Sequence, residues 1–326
     1  MNSIKNDYVL IIGSSNIDLN IYSKRLPKPG ETVTGGIFRQ SLGGKGANQA
    51  VASARDGSST IFIAKIGEDT FGDQMLQNLE KEGIDTKNII RDPEEHSGVA
   101  FIMIDDNGEN MISVAPGANF LLNSKEIRNR ADIIRNAKSL IVQMEIPIET
   151  IQEIYSIASE GECIKILNPA PLKPIPKEIL KNIDVIVPNE GELSRLHSLL
   201  GFERKGEKKA NKTQIIIDIS KNLAEFGIRY IITTLGPEGC IIYDGKKNET
   251  IKMPAFKVKA VDTVGAGDCF NGVLASQLCK KKDIIEAVKF ATCAASIAVT
   301  RKGAQNSMPS KEEIINRVKE YNKFKK

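Results

Sequence analysis

From Leu140 to Tyr321, short apolar runs alternate with amphipathic stretches, and few architectures accept that rhythm. Leu140–Met144, Cys163–Leu167, Val185–Val187 and Tyr230–Thr234 are short and rich in Ile and Val, so they read as buried strands. Between them, Ile148–Ser159, Glu190–Leu200 and Thr213–Phe226 carry apolar residues at helical spacing. Cys240–Tyr243 reads as a hairpin partner of the last strand. Gly267–Cys279, Ile284–Thr300 and Ser310–Tyr321 read as closing helices. Continuous apolar strands separated by helices require a mostly parallel sheet covered on both faces, which is a three-layer α/β/α sandwich.

The N-terminal third adds to this sheet and also breaks its rhythm. Tyr8–Gly13 and Ile61–Ile66 read as buried strands, Gly43–Arg55 as a Gly-led, Ala-rich helix and Phe71–Glu82 as an amphipathic helix. The stretch up to Gly36 holds Pro27, Pro29 and Gly30. Val99–Ile104 and Met111–Val114 flank Asp105-Asp106-Asn107-Gly108, a hairpin turn signal. These pieces predict a small β-sheet lid, discontinuous in sequence, from about 16–40 and 97–115. A chain of 326 residues then forms one α/β domain over 1–326, with no internal repeat and no linker.

Composition excludes several function classes. A net charge of +4 is mild, and its Lys-rich patches (205–212, 280–282 and 323–326) read as solvated faces, not a nucleic-acid footprint. With no Trp and 5% aromatic residues, base-stacking platforms are not expected. Five Cys without a CxxC pair and only two His, His96 and His197, argue against a zinc site and a disulfide framework. Free thiols fit a reducing cytoplasm. Cys269, next to Asp268, reads as a small apolar filler. No run approaches a membrane span and no signal-like segment is visible, so a cytoplasmic, membrane-free protein is expected.

The chemistry concentrates at strand ends and helix starts. In Asp262-Thr263-Val264-Gly265-Ala266-Gly267-Asp268, small residues strip side chains from a turn that opens a helix. Backbone N–H groups can converge there on an anion, aided by the helix dipole. A carboxylate beside such a cradle is a poor phosphate ligand but a good acceptor for the proton of a hydroxyl that attacks phosphorus. An Asp that simply caps the helix explains the same residues equally well. Asn16 and Asp18 follow the first strand, where α/β sheets bind ligands, and can grip neighbouring hydroxyls of a polyol, or merely form Asx turns. Ser41-Leu42-Gly43-Gly44-Lys45-Gly46-Ala47-Asn48 has neither Walker nor GxGxxG spacing. It offers exposed backbone and Asn48 to a small polar ligand, or a plain helix start. Glu145 closes another strand at the same edge. Asn189 and Glu192, three apart on a first helical turn, can place Mg2+ through waters, although helix N-termini favour acidic residues anyway. Thr234, Gly236 and Gly239 form a turn that can lie along a nucleotide with Thr234 on a phosphate. The segment 299–307 closes a helix with an ordinary Gly C-cap.

Taken in order, these segments resemble the PfkB family of carbohydrate and nucleoside kinases, and within it the ribokinases. Gly43-Gly44-Lys45-Gly46-Ala47-Asn48-Gln49-Ala50 looks like the family's first signature and Asp262–Asp268 like its second. Pro29-Gly30-Glu31-Thr32-Val33 matches the start of the lid, and Thr300-Arg301-Lys302-Gly303-Ala304-Gln305 is close to ribokinases in particular. The resemblance implies the ribokinase-like fold and ATP-dependent phosphorylation of D-ribose at O5. It assigns Asp268 as base and Gly265, Ala266 and Gly267 as anion hole. Asn16, Asp18, Gly43, Gly44, Lys45, Asn48 and Glu145 would hold the sugar. Asn189, Thr234, Gly236, Gly239 and Gly267 would contact ATP, with Glu192 placing Mg2+ indirectly. An activating K+ would sit on the side chains of Asp262 and Ser307 and the backbone oxygens of Val264, Ala298, Arg301 and Gly303. A homodimer through the lid is a further expectation. Two departures stand out: the Lys-rich stretch 202–212, which reads as an extended surface loop, and Thr292-Cys293, where adenine contacts would fall.

Rival readings are a related kinase acting on deoxyribose, a ketose or a nucleoside, and a non-catalytic sugar-binding regulator on the same scaffold. A dinucleotide oxidoreductase is disfavoured because no GxGxxG follows the first strand.

Overall fold

The computed structural model describes residues 7–202 and 211–324. Its strands are β1 (Tyr8–Ile12), β2 (Asn16–Ser23), β3 (Ile37–Gly43), β4 (Ser59–Ile63), β5 (Lys65–Gly67), β6 (Ile90–Asp92), β7 (Gly98–Asp105), β8 (Asn110–Ala115), β9 (Ser139–Val142), β10 (Ile164–Leu167), β11 (Val185–Ile186), β12 (Tyr230–Thr234), β13 (Cys240–Asp244) and β14 (Glu249–Met253). The helices are α1 (Lys45–Arg55), α2 (Thr70–Lys81), α3 (Ser124–Arg128), α4 (Ala131–Arg135), α5 (Ile148–Ala158), α6 (Lys177–Lys181), α7 (Glu190–Leu199), α8 (Lys212–Ala224), α9 (Ala266–Cys279), α10 (Ile284–Ala298) and α11 (Lys311–Phe324).

The central sheet runs β14-β13-β12-β11-β10-β9-β1-β4. From β4 to β12 every pairing is parallel, and β13 and β14 add antiparallel pairings at one edge. All five residues of β1 are buried, as a strand covered on both faces demands. Its side chains divide between two cores. Val9 and Ile11 join Ala47, Val51, Val273 and Ala291 from α1, α9 and α10. Leu10 and Ile12 join Ile151, Tyr155 and Leu193 from α5 and α7 on the opposite face. The predicted three-layer sandwich is therefore present, and no described helix is long and apolar enough to cross a membrane.

A separate four-stranded sheet, β3-β2-β7-β8, carries the N-terminal β segments. The Asp105–Gly108 turn joins β7 to β8 in register, with Ile104 opposite Asn110. Several local readings differ from the sequence expectation. Gly43 ends β3 instead of opening a helix, so this sheet reaches beyond residue 40. The run Ile61–Ile66 breaks at Ala64 into β4 of the central sheet and β5, which pairs with β6. Strand β14 is additional: its exposed, charged positions mask the apolar alternation of an edge strand. The stretch 202–212 lies mostly outside the described residues.

Candidate active site

The segments that leave the carboxyl ends of β1 and β9 meet the amino end of α1, which packs against α9. Gly272 of α9 permits this meeting, because a Cβ there would come 2.3 Å from the Gln49 carbonyl oxygen of α1. The close helix pair sets Asp268, in the first turn of α9, against the first turn of α1. Asp268 is buried; its Oδ2 accepts from Asn48 Nδ2 at 2.9 Å and its Oδ1 from Gln49 Nε2 at 3.1 Å. Asn48 Oδ1, also buried, has no hydrogen-bond partner. This amide is turned toward the space in front of Asp268 with an acceptor to spare.

Helix α9 starts at Gly265, whose φ of +72° is a left-handed conformation that a non-glycine residue adopts at a cost. No side chain caps this end. The Ala266 N–H makes a long 3.3 Å bond back to Thr263 O, so the free donors sit chiefly on its neighbours. A Cβ on Gly267 would meet nothing within 4 Å, which leaves open space over that N–H. Asp268 therefore stands beside backbone donors that no side chain caps, and the N-cap alternative fails because its carboxylate turns to α1 instead.

The residues expected to hold a polyol converge from the other direction. Asn16, at the head of β2, is buried and its Oδ1 accepts from Asn119 Nδ2 at 2.8 Å. Asn119 also bonds Ser15 through both backbone groups, so it clamps the crossing from β1 to β2. Asp18 follows on the same face of β2. Gly43 makes room for it: a Cβ there would fall 2.3 Å from Asp18 Oδ2. Gly44, φ +87°, packs its Cα against the backbone of Ser15 and Asn16. Glu145 accepts from Ser14 Oγ at 2.5 Å and from the Lys45 N–H at 3.0 Å, both through Oε2.

The electrostatics follow from this crowding. Desolvation raises the Asp18 carboxyl to about 7, with Glu145 and Asp268 adding to the effect and Lys45 opposing it. The Lys45 ammonium is held above its ordinary range, first by Asp268 and then by Glu145, Glu192 and Asp18. One cation thus faces four carboxylates. Burial also raises Glu192.

Beyond Asp268 lies a further group around the start of α7. Asn189 Oδ1 accepts from the Glu192 N–H and Glu192 Oε2 from the Asn189 N–H, each at 2.8 Å, a reciprocal cap of α7. The helix-terminus reading of this pair is therefore realised, while Glu192 Oε1 makes no hydrogen bond among the described residues. Asn189 bridges to Thr234, which brings together two of the residues expected to contact ATP. Gly236 is open, but a Cβ on Gly239 would lie 2.0 Å from Met253 O, so Gly239 serves the packing of β14. Thr292 is buried in α10. Asp262 ties the 264 and 303 segments together by accepting from Val264 N at 3.0 Å and Gly303 N at 2.9 Å. Ser307 is fully buried and donates to Ala304 O. Among the described residues no group of three or more His, Cys, Asp or Glu could hold a metal ion.

Sequence reasoning missed Ser14, Gln49, Asn119 and Asn168 as members of this site. Asn168 carried a usable signal, since it closes an apolar strand at the same edge as Gln143-Met144-Glu145. Asn119 carried none.

The profile described as pfkB family carbohydrate kinase matches residues 6–311. The chain is 38% identical over 308 residues to a ribokinase of Staphylococcus aureus, covering 94% of this chain and 98% of that one. It is 34% identical to a deoxyribokinase of Salmonella typhi, covering 94% and 97%. A solved structure of Arabidopsis thaliana ribokinase complexed with ribose and ATP superposes with a TM-score of 0.87 at 30% identity, covering 96% and 98%. By the profile match over residues 6–311 and these identities, the chain belongs to the pfkB family of carbohydrate kinases.

Proposed function

We propose that this protein transfers the γ-phosphoryl group of ATP to O5 of D-ribose. The observation that carries the reading is Asp268, a buried carboxylate that accepts two amide hydrogen bonds beside the uncapped amino end of α9. The sugar lies between β2 and α1, with its hydroxyls on Asn16, Asp18, Asn48 and Glu145 and its ring against Gly43, Gly44 and Lys45. Asp268 takes the proton of the 5-hydroxyl as O5 forms its bond to the γ-phosphorus. The bond from phosphorus to the β,γ-bridging oxygen breaks and ADP leaves. The N–H groups of Gly265, Gly267 and, more weakly, Ala266 receive the charge on the transferred group. Thr234, Gly236 and Asn189 line the nucleotide.

Mg2+, carried with ATP, supplies charge neutralisation of the phosphates, and Glu192 Oε1 together with Asn189 fits it through water. A monovalent cation fits the oxygen set of Asp262, Ser307, Val264, Ala298, Arg301 and Gly303. A single carboxylate suits K+, which would order the 264–267 loop without touching substrate. The four-stranded sheet closes over the sugar as a lid. Its exposed Ile37, Phe38, Phe101, Ile112 and Val114, each more than half accessible, fit burial against a second copy in a homodimer. Thr292 stands where adenine contacts would fall. Likeness to a deoxyribokinase keeps 2-deoxyribose as a second acceptor. The test is Asp268→Asn: retained folding and ATP binding with turnover reduced about 10²–10⁴-fold supports the base, and near wild-type kcat rejects it.

A further inference from the structure

The buried wall behind Asp268 is a chain of side-chain amides with one direction. Asn168, at the end of β10, donates through Nδ2 to the Val187 carbonyl at 3.1 Å. A carbonyl only accepts, so this contact fixes which end of the Asn168 amide faces it. Asn168 Oδ1 must then face the other way, where it accepts from Gln49 Nε2 at 3.1 Å. The same Nε2 donates to Asp268 Oδ1 at 3.1 Å. Gln49 Oε1 is thereby turned toward Gln143, whose Nε2 donates to it at 2.6 Å. Gln49 and Gln143 are fully buried and Asn168 nearly so.

The arrangement is unfavourable at one end. Gln143 Oε1 is buried with no partner and lies against Gly13, where a Cβ would come 2.0 Å from it. An orphaned buried acceptor costs about 1–3 kcal/mol. Flipping Gln143 would satisfy nothing, since two acceptors would then meet at Gln49 Oε1. The strain is consistent with a chain whose polarity is set for its far end, at Asp268.

We propose that Gln49 is a positioning residue for phosphoryl transfer, held donor-first by Asn168 and Gln143 so that an N–H always meets Asp268 Oδ1. That contact fixes the carboxylate plane and keeps Oδ2 toward the acceptor hydroxyl and Asn48. A Gln free to turn would present Oε1 to the carboxylate and push it out of line. Gln49 touches neither sugar nor nucleotide; it acts through Asp268. The proposal rests on the reading of Asp268 as the base.

The experiment is a double-mutant cycle on kcat and KM. A hydrogen bond to a charged group sets the scale. Gln49→Met should lower kcat about 10- to 100-fold while KM for D-ribose and for ATP stays within about threefold. In an Asp268→Asn background the same change should move kcat less than about threefold, because the group it orients no longer acts as a base. A purely structural role predicts an equal drop in both backgrounds, and that result overturns the proposal, as does a Gln49→Met enzyme within threefold of wild type. Melting curves report whether Gln49→Met folds. If it does not, Asn168→Leu, which frees the Gln49 amide to turn, must give the same pattern at smaller amplitude, and an equal loss in both backgrounds overturns the proposal. Wild-type protein inactive on every sugar, or Asp268→Asn at full activity, removes the base itself; a failure confined to the cycle removes only the role of Gln49.

Discussion

Replacing Asp18 by Asn should stabilise the protein above neutral pH and at the same time weaken sugar binding. An Asp in the unfolded chain ionises near 3.8, whereas the folded protein holds this carboxyl at about 7, chiefly by desolvation. Between those two values the folded state keeps a proton that the unfolded state has released. Stability from this group is therefore complete below about pH 4 and is lost as the pH rises to about 7. A gap of about three pH units is worth about 4 kcal/mol as a ceiling. Asp18 is only half-buried, and solvent screening reduces the effect to about 1–3 kcal/mol between pH 5 and pH 8. Asparagine does not titrate, so the variant escapes this loss. Urea unfolding followed by far-ultraviolet circular dichroism suits a chain without Trp. Measured at pH 5 and pH 8 for both proteins, the stability difference should shift toward the variant by that amount. A difference independent of pH would refute the placement of Asp18 among Glu145, Asp268 and Lys45.

Other consequences are equally concrete. Asn119→Ala removes four hydrogen bonds that clamp Ser15, Asn16 and Pro116; it should cost about 2–4 kcal/mol in denaturant unfolding and raise KM for the sugar more than KM for ATP. Gly265→Val forces a β-branched residue to φ +72° and sets its Cβ 2.9 Å from Ala304 Cα; kcat should fall at least about tenfold, and an unchanged kcat would reject the anion hole. Exchanging K+ for Na+ in the assay should lower kcat in wild type, and Asp262→Ala should remove the difference between the two ions.

The sequence and the structure agree best where a signal is local. The run YVLII needed only its continuous apolarity to be placed as a central strand, and Asp105–Gly108 only its turn chemistry. Asp268 was visible because three small residues and a helix precede and follow it. Features made by contacts across the sheet were not visible. Gln49 lies 94 residues from Gln143 and 119 from Asn168, and only the parallel order β9-β10 brings these amides together. Gly239 looked like part of a nucleotide loop because a sequence cannot show Met253 packed over it. Asn189 and Glu192 read as a cap or a cation site, and the structure realises the cap through one oxygen of the Glu192 carboxylate. Helices α3 and α4 escaped notice because five residues give too little periodicity to read.

The central claim is tested most directly by the product formed from Mg2+–ATP with D-ribose, 2-deoxyribose, fructose or adenosine, identified by ³¹P NMR. The account predicts ADP and a ribose 5-phosphomonoester, formed fastest from ribose and lost in Asp268→Asn. Phosphorylation of none of these acceptors, or an Asp268→Asn protein as active as wild type, would contradict it.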